Sequence, residues 1–520
     1  MPAHSFQSTT KAFAFIPCLL FSLHVALLQQ LSAKDPVPPP IRNLLDLEAY
    51  ASELAQKPYV APDPELDPFF SNLNYDDHRR IQFRKDRSHY VQEGPVGVEF
   101  FHPGWMFKKP VHFHEIKSGQ PLTLNFDPKD FDYFGLKIPE GVRYPDGFTG
   151  FKVLAMERDT GNRPEFLVFN GASYFRAVSS GTGWGLSARG VAINTLGSEP
   201  EEFPDFTQFW FFKPAKGDTT FRFLALLNGP SITGAYEFEV QSGETTVTAV
   251  TASLFLRRKV NMLGVAPFSS MFWFGENTQP KPLDFRREVH DSDGLLFEQK
   301  AGAVVWRPLD NGKQMRHSIF AIDHLKGFGL QKRDRDFANF EDLEAKYHER
   351  TSVWVEPKEG FGKGQIHLIE LSTGEETWDN VVTMWEPDTQ PTATQPLRLA
   401  YNLLWQESHQ HPLAKVTATR WGEAAKALDL TNAYTFVIDF AKGVADAVRP
   451  PDWIPQCAVD LRGPGARVLS QVVTNDPTTG GWRVNLTLNI PPEVNFLELN
   501  CELRDGPQAI SERWDYQWRR

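Results

Sequence analysis

The sequence predicts a chain dominated by β-structure, split into a large β-sandwich and a smaller C-terminal one. Three observations carry that reading. From about residue 90 to 385, short runs rich in Val, Ile, Phe and Trp alternate with Gly, Asp, Asn and Pro, the punctuation of strands and turns. The stretch Pro387-Asp388-Thr389-Gln390-Pro391-Thr392-Ala393-Thr394-Gln395-Pro396 is polar and proline-broken, as interdomain linkers are. Beyond it, residues 397–520 are of sandwich size and carry further strand patterns. With 520 residues the chain is long enough for two or three domains with sizeable cores.

Taken in order, the N-terminus reads as a secretory signal over residues 1–33. Lys11 precedes an apolar run from Ala12 to Leu28, and Leu31-Ser32-Ala33 offers a small-residue cleavage site. The run is short and interrupted by Pro17 and His24, which argues against a membrane span. It lacks a twin-arginine pair, which favours the general secretory route. The first domain is expected over 34–387, starting with a Pro-rich tail and a helix from Leu44 to Gln56 that Pro58 stops. In Ala235–Val240, alternation places Tyr236, Phe238 and Val240 on one face and Glu237 and Glu239 on the other. Gln241–Glu244 then turns into a partner strand. One helix is expected from Asp336 to Arg350, lining a cleft or surface. Residues 388–396 are the linker, and 397–520 the second β domain, with strands near 434–439, 466–474 and 482–488.

The net charge of -11 excludes nucleic acid or an anionic membrane as the main partner. Aromatics form 13% of the chain, including 41 Phe and 14 Trp. That is the composition of either a Phe-rich sandwich core or a surface that stacks on sugar rings. Signal removal would leave Cys457 and Cys501, readable as one disulfide of an exported domain or as two buried thiols.

Chemistry concentrates in Asp284-Phe285-Arg286-Arg287-Glu288-Val289-His290-Asp291-Ser292-Asp293-Gly294-Leu295, downstream of Met271-Phe272-Trp273-Phe274. Acids beside flat apolar rings suit carbohydrate cleavage, in which one carboxyl protonates the leaving oxygen and another activates water. A structural salt-bridge network would use the same residues. Trp378-Asp379 adds an acid next to an indole, whose shielding would favour its protonated form. A strand start would look the same. Arg176, in Gly171–Arg176, and Arg189, in Gly185–Gly190, can bond sugar hydroxyls or fix loop carboxylates. His112-Phe113-His114 lacks a third ligand at metal spacing, Gly360–Gly364 lacks the spacing of a phosphate loop, and no Gly-x-Ser-x-Gly elbow occurs. No cofactor or metal is expected.

Phe100-Phe101-His102-Pro103-Gly104, Gly171-Ala172-Ser173-Tyr174-Phe175-Arg176, Ser187-Ala188-Arg189-Gly190, Ala266-Pro267-Phe268-Ser269-Ser270-Met271-Phe272, Glu288–Leu295, Trp306-Arg307-Pro308-Leu309 and Asp379-Asn380 occur in this order. Together the chain resembles the periplasmic glucan biosynthesis proteins G and D. The resemblance implies a galactose-mutarotase-like β-sandwich followed by an immunoglobulin-like domain, located in the periplasm and acting on linear β-1,2-glucan. By position it implies Asp379 as general acid, Asp291 as general base and Tyr347 as proton relay or water holder. Asp293 stays open as the alternative base. Trp273, Arg287, His290, Asp293, Trp378, Arg176 and Arg189 would contact substrate. Arg287 stands where the family commonly has proline. Three functions follow: an inverting endo-β-1,2-glucanase, a cyclising transglycosylase, or a glucan-binding assembly factor that serves a membrane synthase. The G or D type and the oligomeric state stay open.

Overall fold

The computed structural model describes residues 39–520 apart from 63–65, 158–159, 425–429, 445–448 and 451. The expected signal segment lies outside the described residues. As predicted, the fold is all-β, its strands among the described residues gathered in two large sheets, one four-stranded sheet and two two-stranded ones. A ten-stranded sheet runs in the order 96–101, 150–155, 165–170, 174–177, 187–189, 263–270, 381–387, 364–370, 316–322, with 191–193 beside 263–270. It faces a fifteen-stranded sheet whose central strands include Thr246–Leu256, Ile232–Gln241 and Thr220–Asn228.

Phenylalanine fills the space between them. Phe100, Phe151, Phe169 and Phe175 come from the first sheet, and Phe113, Phe209, Phe211, Phe223 and Phe238 from the second. Phe169 stacks on Phe175 at 4.6 Å between centroids and meets Phe223 edge-on at 5.4 Å. Each ring contributes large apolar area plus an offset or edge contact, so truncating one to Ala costs about 3–5 kcal/mol. Much of the aromatic composition is therefore core.

Local expectations hold where one face is buried. Tyr236, Phe238 and Val240 are buried, whereas Glu239 is exposed, and both Glu237 and Glu239 pair with Arg222 on the neighbouring strand. Helix Leu44–Ala55 starts at Asn43, whose side chain accepts from Asp46 N, and packs Leu47, Ala51 and Leu54 on Trp210, Leu224 and Leu226.

Two expectations are corrected. The helix over 336–350 is not continuous. One turn, Phe337–Phe340, ends at Glu341 in left-handed backbone, and a 3-10 turn follows at Tyr347–Glu349. Asp342 Oδ1 accepts from Glu344 N (3.0 Å) and Ala345 N (2.7 Å), so a side chain replaces helical carbonyls as the acceptor. The stretch 388–396 does not end the first sheet system either. Strand Leu397–Gln406 returns to the fifteen-stranded sheet between Ser352–Glu359 and Thr246–Leu256, because its alternating Leu399, Tyr401, Leu403 and Trp405 are needed in that core.

The C-terminal unit follows. Its four-stranded sheet (416–423, 433–440, 482–489, 467–475) faces strands 456–462, 496–505 and 513–519 around Phe436, Ile438, Leu486, Leu499, Trp514 and Trp518. Arg513–Arg519 runs parallel to Val304–Pro308, which makes the large sheet continuous across both units. Cys457 and Cys501 face each other as thiols across adjacent strands, with Sγ atoms 3.1 Å apart.

Candidate functional site

Two predicted carboxylates meet at the ten-stranded sheet because one short backbone stretch anchors both. Asp291 N donates to Met271 O at 2.9 Å. Asn380, directly after Asp379, closes a two-way amide clamp on Phe272: its Oδ1 accepts from Phe272 N (2.8 Å) and its Nδ2 donates to Phe272 O (3.0 Å). Only an amide carries a donor and an acceptor in that arrangement. Strand Tyr174–Ala177 buries Phe175 and Ala177, leaving Tyr174 and Arg176 outward. Arg176 Nε donates to Ser187 Oγ (2.7 Å), and its Nη2 lies 3.7 Å from Asp379 Oδ2.

The two acids differ in setting. Asp291 is buried, and its Oδ1 lies 3.0 Å from Arg350 Nε without the alignment of a hydrogen bond. Burial pushes its carboxyl above the usual range, with the Asp379 charge adding to this, against the pull of Arg350, Arg176 and Lys332. Asp379 is 39% exposed. The expected shielding by Trp378 is absent: that indole is 65% exposed and donates its Nε1 to Glu375. The neighbour of Asp379 is a guanidinium.

Tyr347 is buried beside this pair, under Arg350, whose guanidinium carbon is 5.1 Å from the ring centroid. Its hydroxyl donates to Glu376 Oε2 (2.9 Å), which also accepts from Arg286 Nη1 (2.7 Å). Burial and that carboxylate push the phenol well above its ordinary pKa, so it stays protonated. Arg286 also pairs with Asp284 and Asp342, tying three loops together. Arg350 and Glu376 escaped sequence reasoning. Glu376 lies three residues before Asp379, but nothing local singles it out.

Other predicted residues lie elsewhere. Phe272 and Phe274 are buried, Phe272 stacking on His290 at 4.9 Å, so only the half-buried Trp273 of that run is available as a sugar platform. Arg189 is spent on structure: it donates to Ser269 Oγ (3.0 and 2.6 Å) and Glu201 (3.0 Å) and stacks on Tyr174. Arg287 opens with Lys281 and Glu288 onto a different cavity toward the C-terminal sheet.

His290 and Asp293 belong to a buried network behind the pair. His290 Nε2 bonds Glu288 (2.8 Å), and its Nδ1 lies 3.2 Å from Lys332 Nζ, so burial holds the imidazole neutral, near pKa 4. Burial would raise Asp293, but Lys332, His290 and the Arg333 and Asp334 amides outweigh it and hold the carboxyl low. The donor atoms of Glu288, His290 and Asp293 lie within 4.8 Å of one another, a spacing that could hold a cation. The Lys332 ammonium, 3.6 Å from Asp293, already supplies that positive charge.

The fold and this face define an all-β protein with an arginine-bracketed carboxylate pair, one member buried and the other part-exposed. The chain belongs to the family described as periplasmic glucan biosynthesis protein, MdoG, whose model matches residues 43–518. It is 40% identical to glucans biosynthesis protein G of Ralstonia nicotianae over 485 residues (91% of this chain, 95% of the relative). It is 38% identical to glucans biosynthesis protein D 1 of the same organism (91% and 90%) and 36% to protein G of Serratia proteamaculans (91% and 92%).

Proposed function

We propose that this chain is exported to the periplasm by its Sec-type signal and cleaves linear β-1,2-glucan internally with inversion. On this reading the large double sheet is of galactose-mutarotase-like type and the C-terminal unit immunoglobulin-like. The observation that carries the chemistry is the unlike carboxylate pair anchored on Met271-Phe272. Asp379, open to solvent, protonates the leaving oxygen. Asp291 takes the proton of the attacking water: burial makes it a stronger base, while Arg350 and Arg176 favour its ionised form. Tyr347, kept protonated against Glu376, orders that water or passes its proton on. The division of roles follows the positions of the two acids in the family's motifs, since the buried Asp291 is the carboxyl whose setting favours the protonated form.

Transfer to a sugar hydroxyl is the second reading, supported by relatives named for glucan biosynthesis. Incubation with linear β-1,2-glucan separates the outcomes. Shorter reducing chains support hydrolysis, and cyclic or lengthened chains support transfer. Bound but unchanged glucan would overturn both in favour of an assembly factor that serves a membrane synthase. Asp379→Asn should lose turnover by at least about 100-fold while retaining glucan binding; full activity would sink the acid assignment.

A further inference from the structure

A second cavity opens at the turn that precedes the strand carrying Arg176. Upstream of strand Tyr174–Ala177 the chain turns at Gly171-Ala172, both in left-handed backbone (φ 80° and 43°). A Cβ at 171 would lie 3.0 Å from Phe107 Cε1, so glycine allows that ring to press on the turn. Beside it opens a cavity of about 370 Å³ whose walls include Met106, Phe107, Val111, Phe206, Thr149 and Asp205.

The lining is mostly apolar with polar groups at chosen points. Lys109 Nζ is paired with Asp205 Oδ2 at 2.7 Å on the wall. Thr149 is 4% exposed, and its Oγ1 has no hydrogen-bond partner among the described residues. Phe107 continues outward through Trp105, 5.8 Å away, to Tyr75, 5.3 Å further, and Met106 is 63% exposed at the mouth. A pyranose ring has apolar C–H faces and a rim of hydroxyls, which matches an aromatic floor with an ion pair and a hydroxyl at its edge. A hydrocarbon chain would leave the Thr149 hydroxyl without a partner.

Position adds a second argument. Gly171 and Arg176 are five residues apart, no more than about 17 Å for extended chain. A polymer of a few sugar units is therefore long enough to bridge the carboxylate pair and the cavity. We propose that the Phe107 cavity is a distal subsite that grips the same β-1,2-glucan chain and selects for long polymers. This rests on the proposed function.

The test is calorimetric binding of a β-1,2-linked trisaccharide and of long linear β-1,2-glucan to the full chain, to Phe107→Ala and to Met106→Ala. For wild type the long chain should bind more tightly. The long-to-short affinity ratio should fall about tenfold in Phe107→Ala, as expected for loss of a stacking anchor, and severalfold in Met106→Ala. Met106 is too exposed for its truncation to disturb folding, so it decides the matter if Phe107→Ala does not fold. An unchanged ratio while wild type binds glucan overturns the subsite alone. Wild type that binds neither length overturns the glucan reading as well.

Discussion

Replacing Arg350 by Met should move the acid limb of the pH–rate profile upward by about one to three pH units. The structure sets the size. Asp291 Oδ1 and Arg350 Nε are 3.0 Å apart, and opposite unit charges at that distance attract by about 5 kcal/mol at an effective dielectric near 20. The N–H is not aligned, and the side chains retain 19% and 12% exposure, so part of that attraction is lost. An arginine neighbour typically lowers a carboxyl by about one to three units, or about 1.4–4 kcal/mol. The sign follows from the role: a general base works ionised, so activity falls as pH drops through its pKa. Removing Arg350 leaves burial and the Asp379 charge unopposed by the nearest cation, raising that pKa further. The assay is kcat/KM on linear β-1,2-glucan across pH, with Arg350→Lys as the variant that restores charge and returns the limb toward wild type. An acid limb that stays in place in Arg350→Met, or moves down, would refute the assignment of Asp291 as base.

Three further predictions concern the same face and its support. Asp291→Asn should abolish turnover, whereas Asp293→Asn should chiefly destabilise the fold by leaving buried Lys332 under-compensated, by about 3–5 kcal/mol in urea unfolding. Tyr347→Phe should lower kcat with little change in KM, and Glu376→Gln should do so less because an amide oxygen still accepts from the phenol; equal activity of Tyr347→Phe and wild type removes Tyr347 from the mechanism. Glu512 is fully buried, pairs with Arg333, and accepts from His411 (2.7 Å) and Val416 N (2.7 Å); burial opposes its ionisation, but these partners hold it near pKa 2. Its folded pKa lies below the unfolded value near 4.3, so its contribution is present above that pH and lost toward pH 2. Glu512→Gln should therefore cost about 3–5 kcal/mol at pH 7, with the gap to wild type closing in acid; a gap independent of pH would refute this.

Strands with one buried face were legible because alternation is a local signal: the 235–240 strand and its turn into the next were readable from eight or ten residues. The helix expected over 336–350 failed for the complementary reason. Its apolar residues Phe340, Leu343, Ala345 and Tyr347 sit among many charges as in a surface helix, but Asp342 and Tyr347 are held by Arg286 and by Glu376 from distant segments. The linker failed likewise, since proline and threonine mark a turn but do not say which sheet the next strand joins.

By itself the sequence determined the all-β class, the N-terminal helix, and the segments that would carry the acids, because residue type, alternation and capping act over a few positions. Its order of motifs also pointed to the glucan biosynthesis family. The tertiary structure alone decided that Asp291 faces Arg350 and Asp379 while Asp293, two residues on, faces Lys332. Which cation a carboxylate meets depends on segments far away along the chain, as in Asp291 with Arg350 and Asp379 with Arg176, and a burial-driven pKa exists only once those segments have closed over it.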